Sequence, residues 1–350
     1  MRVVAPAPSS ASTVVAVEEL WAIPLDGSTP RVALRFRSAY VPGRDTRGVN
    51  ALRQQFSPDG KRVVLSVVDG DDPQAQLLEV VDLETGRIAR LFEGERRNDV
   101  KPAWSPDGRL IAFVRLAAVG SSGDIWVSAP DGTAARRIRA GTQGSSPRVY
   151  GWLPDSQRIG FDPVNFEWSG YRLIDLDGVE SGDTGGRSAT TADPVSWQTQ
   201  SPWFAGGFGD APRPSRTQIL LADWPAQQTP WIFADVVPNP ADNTITGVRD
   251  PRWDPKDPRV LVYLESGIQG SAVIADLAAR TSIRIGGRVS LADWTPNGTA
   301  VVTLEEHPPT APLSAYVWGR DGKIRSGGLF LPLDGAQTIY SLTDLAVRAY

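Results

Sequence analysis

Catalysis and metal binding need groups that titrate, coordinate or attack, and this 350-residue chain is sparing with them: it has one histidine and no cysteine. Without cysteine there is no disulfide, no thiolate nucleophile and no cysteine-based zinc site, and a single imidazole excludes a multi-histidine one. His307, in Glu305-Glu-His-Pro-Pro309, has the carboxylate neighbours that a general base or a metal ligand would use. No second histidine or nucleophile is spaced to it, and the proline-rich context reads equally as a solvated connection. Asp69, Asp71 and Asp72 put three carboxylates within four residues, a candidate oxygen set for Ca²⁺. They lack the spacing and closing glutamate of an EF-hand, and the competing reading is a polar hairpin connection. No catalytic residue is assigned, and no cofactor is expected.

The commonest carboxylates recur instead. Asp59, Asp107 and Asp155 fall in Phe56-Ser-Pro-Asp-Gly60, Trp104-Ser-Pro-Asp-Gly108 and Trp152-Leu-Pro-Asp-Ser156, each followed by an apolar run. Pro presets φ for a tight turn, while Asp bonds its own backbone, so these aspartates read as scaffold. Weaker copies are Trp253-Asp-Pro-Lys-Asp257 and Trp294-Thr-Pro-Asn-Gly298. Trp197 and Tyr340 complete seven aromatic anchors by spacing, with intervals of 48, 48, 45, 56, 41 and 46 residues from Phe56. One aromatic per unit could make a sugar-stacking surface; packing between repeats accounts for it better.

Each unit predicts an aromatic-ended strand, a turn, a second strand and then another hairpin, as in residues 76–86, 124–132 and 171–178. Four short strands per repeat of this length specify an all-β propeller of four-stranded antiparallel blades. Seven blades are favoured and six are the alternative. After Tyr340 only two strands fit, and the first 36 residues hold an unpaired hairpin, so N- and C-terminal strands are expected to share one blade and close the ring, removing exposed sheet edges. Residues 14–350 then form one domain. Residues 1–13, rich in Ala, Pro and Ser, read as a flexible leader or the stub of a removed signal or anchor.

The pattern aromatic-Ser-Pro-Asp-Gly-Lys/Arg before an apolar strand resembles the PD40 (WD40-like) repeats of TolB-like propellers, in full at Phe56 and Trp104 and in part at Trp152, Trp253 and Trp294. The resemblance implies a rigid ring that binds a peptide, protein or small ligand through its loops and channel, often outside the cytoplasm. Similar repeats gate prolyl-oligopeptidase-like peptidases, but the chain has no Gly-x-Ser-x-Gly elbow.

A propeller channel is lined by each blade's first strand, so the segment just before each anchor is the place to look for a site. There the sequence puts Asn50, Arg53, Asn98, Asp99, Lys101, Ser146, Arg148, Asp193, Arg249 and Asp250. Converging, they would form a polar funnel for a carboxylate, a peptide terminus or ordered water; alternatively they pair with each other. The connections 178–193 and 235–246 and the aromatic, glycine-rich stretch 202–214 are further candidate surfaces. A net charge of −4 and a pI near 5.3 argue against nucleic acid, and no apolar run is long enough to span a membrane. The expectation is a non-enzymatic binding propeller with a protein or peptide partner. A carboxylate-based lyase or hydrolase acting on a glycan or other polar substrate, and a structural or sensory module of an envelope-associated assembly, stand as alternatives.

Overall fold

The computed structural model describes residues 2–4, 14–24, 26, 28–40, 52–68, 75–92, 98–117, 122–141, 147–162, 172–181, 196–197, 203–209, 217–223, 231–236, 247–267, 270–305, 314–330 and 341–344. In chain order these form β1 (Arg2–Val4), β2 (Val14–Ala22) and β3 (Arg31–Tyr40), then one helical turn α1 (Leu52–Gln55) and β4 (Arg62–Val68), β5 (Gln76–Asp82) and β6 (Ile88–Arg90). The next two groups are β7 (Asp99–Trp104), β8 (Ile111–Leu116), β9 (Gly123–Ser128) and β10 (Arg136–Arg139), and β11 (Arg148–Trp152), β12 (Arg158–Asp162), β13 (Arg172–Asp175) and β14 (Glu180–Ser181). β15 (Ser196–Trp197), β16 (Trp203–Gly209), β17 (Thr217–Asp223) and β18 (Trp231–Val236) follow, then β19 (Gly247–Trp253), β20 (Val260–Ser266), β21 (Ala272–Asp276) and β22 (Thr281–Ile285). The chain ends with β23 (Val289–Trp294), β24 (Ala300–Glu305), β25 (Ser314–Gly319), β26 (Ile324–Phe330) and β27 (Ser341–Asp344).

The protein is an all-β propeller of four-stranded antiparallel blades. Five blades, β7–β10, β11–β14, β15–β18, β19–β22 and β23–β26, are each built from four consecutive strands. This is fewer than the seven, or six, expected from the anchors. Two further sheets are of other kinds. One is four-stranded in the order β27-β1-β2-β3 and the other three-stranded in the order β4-β5-β6. The three-stranded sheet lacks the expected first strand because Leu52-Arg-Gln-Gln55, all good helix formers with no β-branched residue, makes the turn α1. Phe56 alone keeps the sheet register, through a bridge to Val63.

That register is the repeat made physical. Trp104 pairs with Ile111, Trp152 with Ile159 and Trp294 with Val301, the same offset as Phe56 with Val63. Between each such pair the turn closes by a short main-chain bond, from Gly60 N to Ser57 O (2.8 Å), Gly108 N to Ser105 O (2.9 Å), Ser156 N to Leu153 O (3.1 Å) and Gly298 N to Thr295 O (2.8 Å). The donor residue has φ between 55° and 74°, which is why glycine takes this position in three of the four. Second strands such as β24, AVVTLE, are buried along their whole length. Outer strands such as β6 and β22 are exposed and carry arginine, which discourages edge-to-edge pairing.

Contacts divide the chain into two compact units, one of Val4–Glu19, Arg35–Arg187 and Tyr350, the other of Met1–Val3, Leu20–Leu34 and Ser188–Ala349. We call them the N-terminal and C-terminal units by where most of their residues lie. In the N-terminal unit Trp104 packs with Val64, Leu78 and Phe113, and Trp152 with Val100, Ala112 and Ile125, so each anchor fills the space between its own sheet and the one before. The C-terminal unit repeats this with Trp253 against Ile219 and Leu221, and Trp294 against Val262 and Ile274. These four repeated aromatics, Trp104, Trp152, Trp253 and Trp294, are blade-to-blade packing.

The turn aspartates give the fold a pH dependence. The Ser57 hydroxyl and then the Lys61 main-chain N–H hold Asp59 below its ordinary value of 3.8; Asp82 is lowered by Thr85, Asp131 by Thr133 and Asp257 by Arg259. A carboxylate whose folded pKa is depressed adds stability that is complete above the unfolded value and is lost as the pH falls through the folded one. The midpoint of thermal unfolding should therefore hold from neutrality to about pH 5 and fall progressively below about pH 4. A midpoint unchanged down to about pH 3 would show that these turns contribute nothing differential.

Candidate functional site

The first strands of four blades share a defect. β7, β11, β19 and β23 each break register just ahead of the anchor, between Val100 and Ala103, Val149 and Gly151, Arg249 and Arg252, and Val289 and Leu291. In β7 the inserted residue is Lys101 and in β19 Asp250, with φ of 57° and 51°, each followed by proline. Left-handed backbone is uncommon for a residue other than glycine and is stored where the structure needs a side chain re-aimed. Proline tolerates a break in the ladder because it has no N–H to donate.

In the N-terminal unit, Asp99 is fully buried and accepts both arms of Arg115, at 2.7 and 2.8 Å, across the β7–β8 ladder. The Arg115 guanidinium lies against three rings, with Cζ 4.4 Å from the centre of Trp126, 5.0 Å from Phe92 and 5.2 Å from Phe113. An ion pair wrapped in aromatic faces is held in one geometry. The buried Asn98 accepts from Gln76 Nε2 at 3.3 Å, while its own Nδ2 is a buried donor with no hydrogen-bond partner among the described residues. Ser66 donates to the Asp99 carbonyl at 2.7 Å, and Lys101 Nζ to the Pro147 carbonyl in β11's blade at 3.4 Å. Arg53 and Arg148 lie on α1 and β11 by their backbone.

In the C-terminal unit, Asp250 is turned onto Arg252, 3.0 Å away, and both side chains are buried. Its neighbour Arg249 points differently, donating from Nε to Ser266 Oγ (3.2 Å) and from Nη2 to the Ser290 carbonyl (3.1 Å). Glu265, next to Ser266, is held by both arms of Arg284 at 2.9 Å. On the strand facing the bulge, burial and then the Glu265 charge push the Tyr263 hydroxyl above its usual range.

Asn50, Ser146 and Asp193 lie outside the described residues, as do Asp69, Asp71 and Asp72 and His307. Among the described residues no group of three or more His, Cys, Asp or Glu is arranged to hold a metal ion, and no helix is long and apolar enough to cross a membrane. Asp59, Asp107 and Asp155 each cap their own turn, accepting from Lys61 N (3.0 Å), Arg109 N (3.1 Å) and Gln157 N (2.9 Å). Sequence reasoning missed Arg115, Arg252, Ser266 and Ser290. Arg115 had a signal, a charge interrupting the apolar run IAFVRL, which a half-buried strand keeps only with a partner.

No family model matches the chain. A peptidase of Bacillus subtilis, YuxL, whose function is uncharacterised, is 30% identical over 114 residues, 32% of this chain and 17% of that protein, so the chain spans less than a fifth of that relative. Among solved structures, TolB from Acinetobacter baumannii is similar over 89% of this chain and 78% of its own, with a TM-score of 0.51 and 14% identity. An oligogalacturonate lyase in complex with manganese is similar over 93% of this chain and 84% of its own, with a TM-score of 0.52 and 14% identity. Likeness at such identity is likeness of fold, and it agrees with the repeated turns, the shared register and the four-stranded blades. The chain is a β-propeller similar in fold to TolB.

Proposed function

We propose that the chain is a non-enzymatic binding propeller, acting outside the cytoplasm, which takes a protein, peptide or small polar ligand at the channel mouth, on the rim formed by the first strands of its blades. In this reading the β27-β1-β2-β3 and β4-β5-β6 sheets serve as blades six and seven. The observation that carries it is the left-handed, pre-proline bulge at Lys101 and again at Asp250. Two blades keep a strained position at the same distance before the anchor, and strain of this kind persists where a side chain must be aimed, here Asp250 onto Arg252 and Lys101 toward the Pro147 carbonyl at the head of β11. The unpartnered donor on Asn98 adds a point where a ligand would bond.

The test immobilises the full chain, selects binders from a displayed random-peptide library and measures their affinities for wild type and for Lys101→Gly. Glycine accepts a φ of 57° without strain, so this variant deletes the side chain and keeps the bulge. Selected peptides should bind about tenfold more weakly to the variant, on the order of 1.4 kcal/mol. Equal affinity for the two proteins would overturn the assignment of the rim, and turnover of an oligogalacturonate by the full chain would overturn the non-enzymatic reading.

A further inference from the structure

We infer that Arg249 is a binding site for the carboxylate of a ligand; the inference rests on the rim reading above and assigns a chemical class to one part of it. Arg249 is half-buried, and both of its bonds go to neutral oxygens, Ser266 Oγ and the Ser290 carbonyl. Arg115, Arg139 and Arg252 are similarly shielded, and each holds a carboxylate, from Asp99, Glu180 and Asp250 respectively. Arg249 has none among the described residues. Taking a guanidinium out of water without a counter-ion is unfavourable, and an incoming anion relieves it.

Two acids beside it, Asp250 next in the chain and Glu265 next to its partner Ser266, are committed elsewhere by geometry. The φ of 51° at Asp250 sends its carboxylate along β19 to Arg252. Glu265, beside Ser266, is gripped bidentately by Arg284. The contacts of Arg249 use Nε and one N–H of Nη2, which leaves the Nη1–Nη2 edge of the fork unbonded; that edge matches the two oxygens of a carboxylate. The surroundings leave room for it. Ser290 is reached through Gly286-Gly287-Arg288, and a Cβ at Gly287 would meet nothing within 4 Å. On the other side of that connection Ser271 Oγ donates to the Gly286 carbonyl at 3.3 Å and Gly270 accepts from Val289 N at 2.9 Å, while a Cβ at Gly286 would meet Val289 and the Glu305 carboxylate, so the open side is at Gly287.

The experiment follows the arginine Nε–Hε resonances of the ¹⁵N-labelled full chain during separate titrations with sodium acetate and inorganic phosphate. The Arg249 signal is identified by its loss in Arg249→Lys, which keeps the charge and removes the fork. Acetate is expected to shift the Arg249 resonance saturably, with phosphate at least tenfold weaker. An Arg249 signal that does not move with acetate, or that saturates more tightly with phosphate, would overturn the carboxylate assignment. The titration is made on wild type, and triple-resonance assignment of the wild-type chain identifies the same signal independently, so misfolding of the lysine variant does not blunt it. If the selected peptides still lose affinity with Lys101→Gly while acetate leaves Arg249 unmoved, the rim stands and this site falls.

Discussion

Arg252→Met is expected to destabilise the protein by about 3–5 kcal/mol, read as a lower urea midpoint at unchanged slope. Arg252 and Asp250 are both buried, their charged atoms are 3.0 Å apart, and proline on the intervening residue fixes the chain between them. Methionine fills a similar volume without charge, so the cost arises from a carboxylate left in a shielded place without its counter-ion rather than from a cavity. The partner experiment makes this specific. Asp250→Asn removes the other charge while keeping a residue that tolerates left-handed backbone, and in the double variant Asp250→Asn/Arg252→Met most of the loss should return, giving a coupling energy on the order of 2 kcal/mol or more. If Arg252→Met alone changes stability by less than about 1 kcal/mol, the pair is solvated in solution and the bulge does not depend on it.

The pair also marks where sequence reading reaches its limit. The repeated turns were legible because their information is local: Pro, Asp and Gly at fixed offsets set φ and bond within five residues, and Trp104, Trp152 and Trp294 fall at the same register with the strand that follows. Asp99 and Asp250 were legible as polar residues ahead of an anchor, but their partners were not. Arg115 lies 16 residues on, across a ladder, and Arg252 becomes a partner only because Asp250 adopts a conformation that a residue before proline ordinarily avoids. Residues 52–55 show the opposite failure. The anchor spacing calls for a first strand there, the local residues prefer a helix, and with only Phe56 holding the register the local preference prevails. The count of complete blades fell below the anchor count for that reason and because β27, the strand that follows the last anchor position, pairs in a sheet with β1, β2 and β3 from the other end of the sequence.

The same helical turn leads to a second large and testable asymmetry. Trp152→Ala should cost about 3–5 kcal/mol, since the indole is nearly all buried among Val100, Ala112, Ile125 and Ile159 and its removal leaves a cavity between two blades. Part of that cost is polar. Trp152 Nε1 donates to the Ala103 carbonyl at 3.0 Å and Trp294 Nε1 to the Arg252 carbonyl at 3.0 Å, in both cases the residue just ahead of the previous anchor. By the same rule Trp104 should donate to the Gln55 carbonyl, but Gln55 ends α1, and Trp104 Nε1 is buried without a hydrogen-bond partner among the described residues. Phenylalanine at each position separates the two contributions. Trp152→Phe and Trp294→Phe lose volume and strand a buried carbonyl, whereas Trp104→Phe loses volume and relieves an unsatisfied donor, so it should be milder by about 1–3 kcal/mol in urea denaturation. Equal costs at the three positions would mean that Trp104 does find its carbonyl in solution, with Leu52–Gln55 extended as the fourth strand of the β4-β5-β6 sheet.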